Sequence, residues 1–112
     1  MNTEFELWQN SNGKSYAREF ILDQGSDRAA EIEAHLLALQ EHTFMELLRA
    51  GNIKKIKGMI YEIRMRIKKT EYRFLFVEKE ERYWIVEGFI KKTMKTPIQH
   101  ITTAEYRIKE LL

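Results

Sequence analysis

Trp84-Ile85-Val86-Glu87-Gly88-Phe89-Ile90-Lys91-Lys92-Thr93-Met94-Lys95-Thr96-Pro97 is the stretch from which the rest of the chain can be read. From Tyr83 to Ile90 it is mostly apolar, β-branched and aromatic, the composition of a buried strand. The run stops at Lys91, Lys92 and Lys95, so a fixed strand delivers positive charge to one place. Thr96-Pro97-Ile98-Gln99 then reads as a capping box, with Thr96 as N-cap, Pro97 at the first helical position and Gln99 reaching back. A helix to the C-terminus follows, with Ile101, Ala104, Ile108 and Leu111 as its apolar stripe. The sequence leaves open whether that stripe packs on this sheet or on another molecule.

Upstream, the apolar period is two. Met59, Tyr61, Ile63, Met65 and Ile67 point one way, while Glu62, Arg64, Arg66 and Lys68 point the other, which predicts a strand with one packed and one open face. Tyr72 to Val77 is nearly all apolar, as in a strand covered on both faces, and Glu78 to Arg82 is its hairpin connection to the Tyr83–Ile90 strand. Connections this short force the three strands into an antiparallel meander. In the first half, Phe5 to Trp8 reads as a short strand and Asn10 to Gly13 as a turn. Residues 15–23 read as a short helix carrying Tyr16, Phe20 and Ile21 on one side, ended by Gln24-Gly25. Ser26 is the expected N-cap of a long helix to about Ala50, with Ile32, Leu36, Leu39, Phe44, Leu47 and Leu48 at helical spacing and Gly51 closing it. The order strand, helix, helix, three strands, helix is that of an α+β fold.

At 112 residues the expectation is one domain over 1–112 with a single modest core. The absence of cysteine excludes disulfides and thiolate metal sites and fits a reducing cytosol. Met1 to Glu6 has neither a basic nor an apolar leader segment, and no apolar run approaches the roughly 18 residues of a membrane span, so a cytoplasmic protein without membrane attachment is expected. The net charge of +2 hides a strong asymmetry. Residues 1–50 carry four Lys/Arg against nine Asp/Glu, or −5, and residues 51–112 carry fifteen against eight, or +7. One part of the surface therefore suits a polyanion.

Arg73 interrupts an otherwise buried strand, so it needs either a carboxylate partner (Glu62, Glu71 or Glu87) or a water-filled cleft where it can grip a phosphate. Arg64 and Arg66, two apart on one strand, face the same side. Lys54, Lys55 and Lys57 are close together before Gly58 and suit a backbone of phosphates. Alternation allows only one of Lys91 and Lys92 to look into a groove with Arg73, and Lys95 lies beside a helix N-terminus that favours an anion. His35, His42 and His100 include no pair at zinc-binding helical spacing, and there is no glycine-rich phosphate loop, so neither a metal nor a small-molecule cofactor is expected.

Gly88-Phe89-Ile90-Lys91-Lys92-Thr93 with Lys95-Thr96-Pro97 resembles the C-terminal signature of the RelE/ParE superfamily of toxins, in particular its phage-derived HigB-type branch. The resemblance implies a RelE-like fold, a twisted antiparallel sheet with N-terminal helices on one face and a C-terminal helix. It also implies the toxin of a type II toxin–antitoxin pair, a ribosome-dependent mRNA endonuclease in which the ribose 2′-OH attacks the adjacent phosphate without metal. On that reading Arg73, Arg64 and Lys92 hold or stabilise the scissile phosphate. Lys54, Lys55, Lys57, Arg66, Lys91 and Lys95 bind RNA. Many relatives use a tyrosine or histidine near this point as acid or base; the chain has no such tyrosine, and His100 is the nearest substitute. Implied partners are a helix-turn-helix antitoxin, the ribosome and mRNA. Two other readings of the scaffold are a ParE-like gyrase inhibitor and a non-catalytic phage-derived interaction module.

Overall fold

The molecule is built on five strands in the order β1-β5-β4-β3-β2, with helices on both faces. The computed structural model describes residues 3–112; Met1 and Asn2, part of the N-terminal stretch read above, lie outside it. The strands are β1 (Phe5–Leu7), β2 (Ile53–Lys57), β3 (Ile60–Ile67), β4 (Thr70–Lys79) and β5 (Arg82–Ile90). The helices are α1 (Tyr16–Asp23), α2 (Ser26–Leu39), α3 (Phe44–Ala50) and α4 (Ile98–Leu111). None of them is long and apolar enough to cross a membrane.

β2 to β5 form an antiparallel meander, and the short β1 joins β5 in parallel, so the sheet is mixed where a purely antiparallel one was expected. A parallel neighbour is possible because the three helices and three strands between β1 and β5 supply the crossover. β2 is a fourth meander strand beyond the three that alternation predicts. Its two isoleucines, Ile53 and Ile56, are three apart, and the pairing with β3 shifts register between Lys55 and Lys57. Their odd spacing sends Ile53 to one face and Ile56 to the other, and the bulge then sets Lys57 opposite Ile60. The β4–β5 hairpin is also tighter than Glu78 to Arg82: Lys79 pairs with Arg82, leaving Glu80 and Glu81 as a two-residue turn, both at positive φ.

The expected long helix from Ser26 to Ala50 is two helices. α2 stops at Leu39, and Thr43 starts α3 with a full capping box, its side chain accepting from the Glu46 N–H while Glu46 accepts from the Thr43 N–H. Gly51 closes α3 in the left-handed conformation. Ser26 is the first helical residue of α2 and not its cap; Gly25 occupies that place at φ 95°. At α4, Pro97 takes the N-cap place and Thr96 makes no cap bond, because its hydroxyl is used elsewhere.

α1, α2 and α3 cover one face through Ala17, Ile21, Ile32, Leu36 and Leu47, which meet Ile63, Met65, Tyr72, Phe74 and Phe76. The layer is strongly aromatic: Phe20 stands edge-on to Phe74 at 5.8 Å and Phe5 to Phe76 at 5.4 Å. Gly88 lies opposite Phe74 because a Cβ there would meet Phe20 at 2.7 Å and Phe74 at 2.9 Å. α4 covers part of the other face, with Ile101, Ala104, Ile108 and Leu111 packed on Leu75, Val77, Val86 and Phe89. The stripe left without a partner by the sequence thus packs on this sheet. It also means that the side of β3 carrying Glu62 is only partly open.

Candidate functional site

Where α4 leaves the sheet uncovered, β2, β3 and β4 bring their charged residues together. Antiparallel pairing sets Arg64 directly opposite Arg73, Arg66 opposite Glu71 and Lys54 opposite Glu62. Two guanidinium groups facing each other across a ladder repel unless an anion lies between them. Glu62 supplies it: one carboxylate oxygen is 3.6 Å from Arg73 Nε and 3.8 Å from Arg64 Nε, and the other accepts a 2.6 Å hydrogen bond from the Thr96 hydroxyl. Glu62 is 1% exposed.

Arg73 is held on a second side by Glu71, to which its Nη1 donates at 3.1 Å, and by the carbonyl of Tyr72 at 3.0 Å. Glu71 in turn lies 3.4 Å from Arg66 Nε. The result is a zigzag of alternating charge, Arg66, Glu71, Arg73, Glu62, Arg64, running from solvent into the fold and out again. Its members differ in availability. The Arg73 side chain is 7% exposed and its Nε is buried without a hydrogen bond, whereas the Arg64 side chain is 39% exposed and its contact with Glu62 is long.

The connection from β5 to α4 forms the other wall. Lys91 extends β5, its N–H donating to the Glu71 carbonyl at 2.8 Å, and Thr96 ties the far end to Glu62. Between this wall and the sheet lie two adjoining clefts. One, of about 250 Å³, is lined by Lys54, Lys55, Glu62, Arg64, Lys91, Met94, Lys95 and Thr96 among others. The second, of about 470 Å³, is lined by Arg64, Glu71, Arg73, Lys91, Lys92, Thr93 and Met94. Seven cations against two carboxylates make this the place where the positive charge of the second half of the chain converges. Desolvation lowers the Lys91 pKa below its ordinary value, and Arg73, Arg64 and Lys54 add to this by repulsion while Glu62 opposes them.

The structure therefore brings Lys54, Lys55, Arg64, Arg73, Lys91, Lys92 and Lys95 to one groove. Alternation would allow only one of Lys91 and Lys92 beside Arg73, but both line the larger cleft with it, because β5 ends at Ile90 and strand alternation no longer governs them; of the two, only Lys91 also lines the smaller cleft. Three other residues go elsewhere. His100 is stacked flat on Phe89 at 4.0 Å with Nδ1 2.9 Å from Glu87, whose second oxygen accepts from Arg107, and it lines neither cleft. Lys57 pairs with Glu105 of α4 at 3.1 Å. Arg66 donates to the Lys68 carbonyl at 3.2 Å on the exposed rim. Sequence reasoning named Glu62 as a possible partner of Arg73 and Thr96 only as a helix cap, missing that the two together organise the groove, and it missed Met94, which lines both clefts.

A larger cleft, about 690 Å³, is at the other end of α4, between Trp8, Tyr16, Tyr106 and Arg107. Arg107 there is already used: its guanidinium lies 3.6 Å over the Tyr16 ring and donates to Val86 and Glu87. Nothing in that cleft duplicates the cationic cluster.

Residues 19–109 match the model of a family described as Phage derived protein Gp49-like (DUF891), a span that contains every residue lining the groove. Neither a curated protein nor a solved structure matches the chain.

Proposed function

Because the chain belongs to the phage-derived Gp49-like family, whose members are RelE-like toxins of toxin–antitoxin systems, we propose that it is such a toxin and that the groove holds the backbone of an RNA strand. The observation that carries this reading is the convergence of Lys54, Arg64, Lys91, Lys92 and Lys95 on two joined clefts. Phosphate contacts of this kind supply sequence-independent affinity that falls steeply with salt.

The chemistry we propose is cleavage of mRNA on the ribosome, in the HigB-like manner. The ribose 2′-oxygen attacks the adjacent phosphorus, its proton leaves to a base, the P–O5′ bond breaks and the departing oxygen is protonated, leaving a 2′,3′-cyclic phosphate. Arg64, partly exposed and only loosely paired, is the guanidinium best able to turn to the phosphate. Together with Lys91 it offsets the charge that builds on the pentacoordinate phosphorus, an effect of about 3 kcal/mol per well-placed donor. Arg73, bound on two sides by Glu62 and Glu71, acts in this scheme by fixing those carboxylates and so aiming Arg64. A helix-turn-helix antitoxin is the partner that would neutralise the protein.

A specific pair of observations favours a second reading, in which the groove binds RNA and does not cut it: Arg73 is sealed in ion pairs and His100 is bound to Glu87. Primer extension on messages from a translating extract separates the two. Discrete cuts that disappear with Arg64→Ala support cleavage. Intact messages with retained RNA affinity support the binding module, and intact messages with stalled DNA replication point to a gyrase-directed action.

A further inference from the structure

We propose that Met94 is the nucleobase contact of this groove, its side chain packing against an unpaired base of the strand whose backbone is held by Arg64 and Lys91. The inference rests on the RNA-binding reading above. Met94 is 94% exposed, more than any other large apolar side chain among the described residues. It is nevertheless well placed. With Arg64 and Lys91 it lines both clefts, and in the larger one it is the sole apolar side chain among cations, a carboxylate and a threonine.

The segment that carries it is tied down on either side. The Lys91 N–H is bound to the Glu71 carbonyl, the Thr96 hydroxyl to Glu62, and between them the Thr93 hydroxyl donates to the Lys95 carbonyl at 2.7 Å. An apolar group is thus presented to solvent on a tied segment, beside the cations that line the same clefts.

Phosphate contacts position a strand and leave its bases unread, so selection for single strands needs a group that meets the base itself. Every base has an apolar face, and contact with that face tolerates any sequence. Methionine suits the task because its side chain is unbranched, adaptable and polarizable. A duplex, whose base faces are covered, would gain nothing from it. The ligand class is therefore single-stranded RNA with at least one unstacked base next to the held phosphate.

The test compares two uncleavable probes of equal length and charge, a 2′-O-methyl RNA and the same backbone without bases, by fluorescence anisotropy at low salt. The wild-type protein should prefer the probe with bases. Met94→Ala should weaken that probe about three- to tenfold and leave the baseless one unchanged, whereas Met94→Phe should keep or improve the preference. Ile98→Ala, which removes another highly exposed apolar side chain outside both clefts, should change neither. An equal loss on both probes, or none on either, overturns the assignment; the second result would leave Met94 to a protein partner. If the wild-type protein binds neither probe, the RNA reading itself fails, and the base contact with it.

Discussion

Tyr72, Phe74 and Phe76 on one side of β4 enter a dry aromatic layer beneath α1, α2 and α3, while Arg73 and Leu75 on the other side meet a charged groove and α4 respectively. The first face is predominantly aromatic and aliphatic and fixes the register of the sheet, because a slip of one residue would turn its whole aromatic set outward. The second face uses that register. Once Ile63 is locked against Phe74, Arg64 must lie opposite Arg73 and Glu62 must stand between two guanidinium groups and the hydroxyl of Thr96. Substitutions on the two faces should therefore fail differently: the aromatic face in stability alone, the charged face in stability and in RNA binding together.

The sharpest break is expected at Phe74, which is fully buried, packs against Phe20 and fills the space that a Cβ on Gly88 would need. Phe74→Ala should lower unfolding free energy by about 3 to 5 kcal/mol in denaturant titration. Molecules that remain folded should bind RNA as before, and a loss of affinity per folded molecule would show that the two faces are not separable. Next comes Glu62. Glu62→Gln leaves the buried Arg73 with Glu71 as its remaining carboxylate partner, and a cost of about 3 kcal/mol is expected. Affinity should change as well, since Thr96 and Arg64 lose their shared anchor. The double replacement of Glu62 by Leu and Arg73 by Met should recover most of the stability, because a buried ion pair is often no better than packed apolar groups. If the double variant stays as unstable as Glu62→Gln, the carboxylate is holding the loop through Thr96 more than it is balancing charge.

Much of the aromatic face was legible in the sequence, since Tyr61, Ile63, Met65 and Ile67 alternate without interruption and local spacing alone sets their direction. What escaped was wherever one local rule overrode another. Ile53 and Ile56 stand on opposite faces with two lysines between them, so β2 shows no one-sided alternation that would mark it as a strand. Leu36, Leu39, Leu47 and Leu48 keep helical phase across the break between α2 and α3, and they masked the Thr43–Glu46 capping box that starts the second helix. The charged groove was legible as a set of cations but not as a structure. Its organising contact joins Glu62 to Thr96 over 34 residues, and a threonine beside a proline has a local use, as a helix cap, that the sequence favours and the tertiary fold replaces.

The smallest effect expected concerns Lys91 and tests whether the charged face is organised for an anion. Its pKa is lowered by desolvation and by Arg73, Arg64 and Lys54, with Glu62 opposing. A lysine whose pKa falls on folding binds fewer protons in the native than in the unfolded state, so stability should rise with pH between the lowered value and about 10.5. Lys91 is partly solvated, so screening keeps that rise small. Binding should show the opposite slope. A phosphate beside Lys91 favours its charged form, so an uncleavable 2′-O-methyl strand should bring a proton with it in that window, and affinity should fall as pH rises through the lowered pKa. Lys91→Arg keeps its charge at every accessible pH and should flatten the binding profile. Calorimetry in buffers of different ionisation enthalpy would measure the proton directly. Uptake by wild type that persists in Lys91→Arg would move the titrating group elsewhere in the groove, and no uptake by either would mean that the strand does not lie against Lys91.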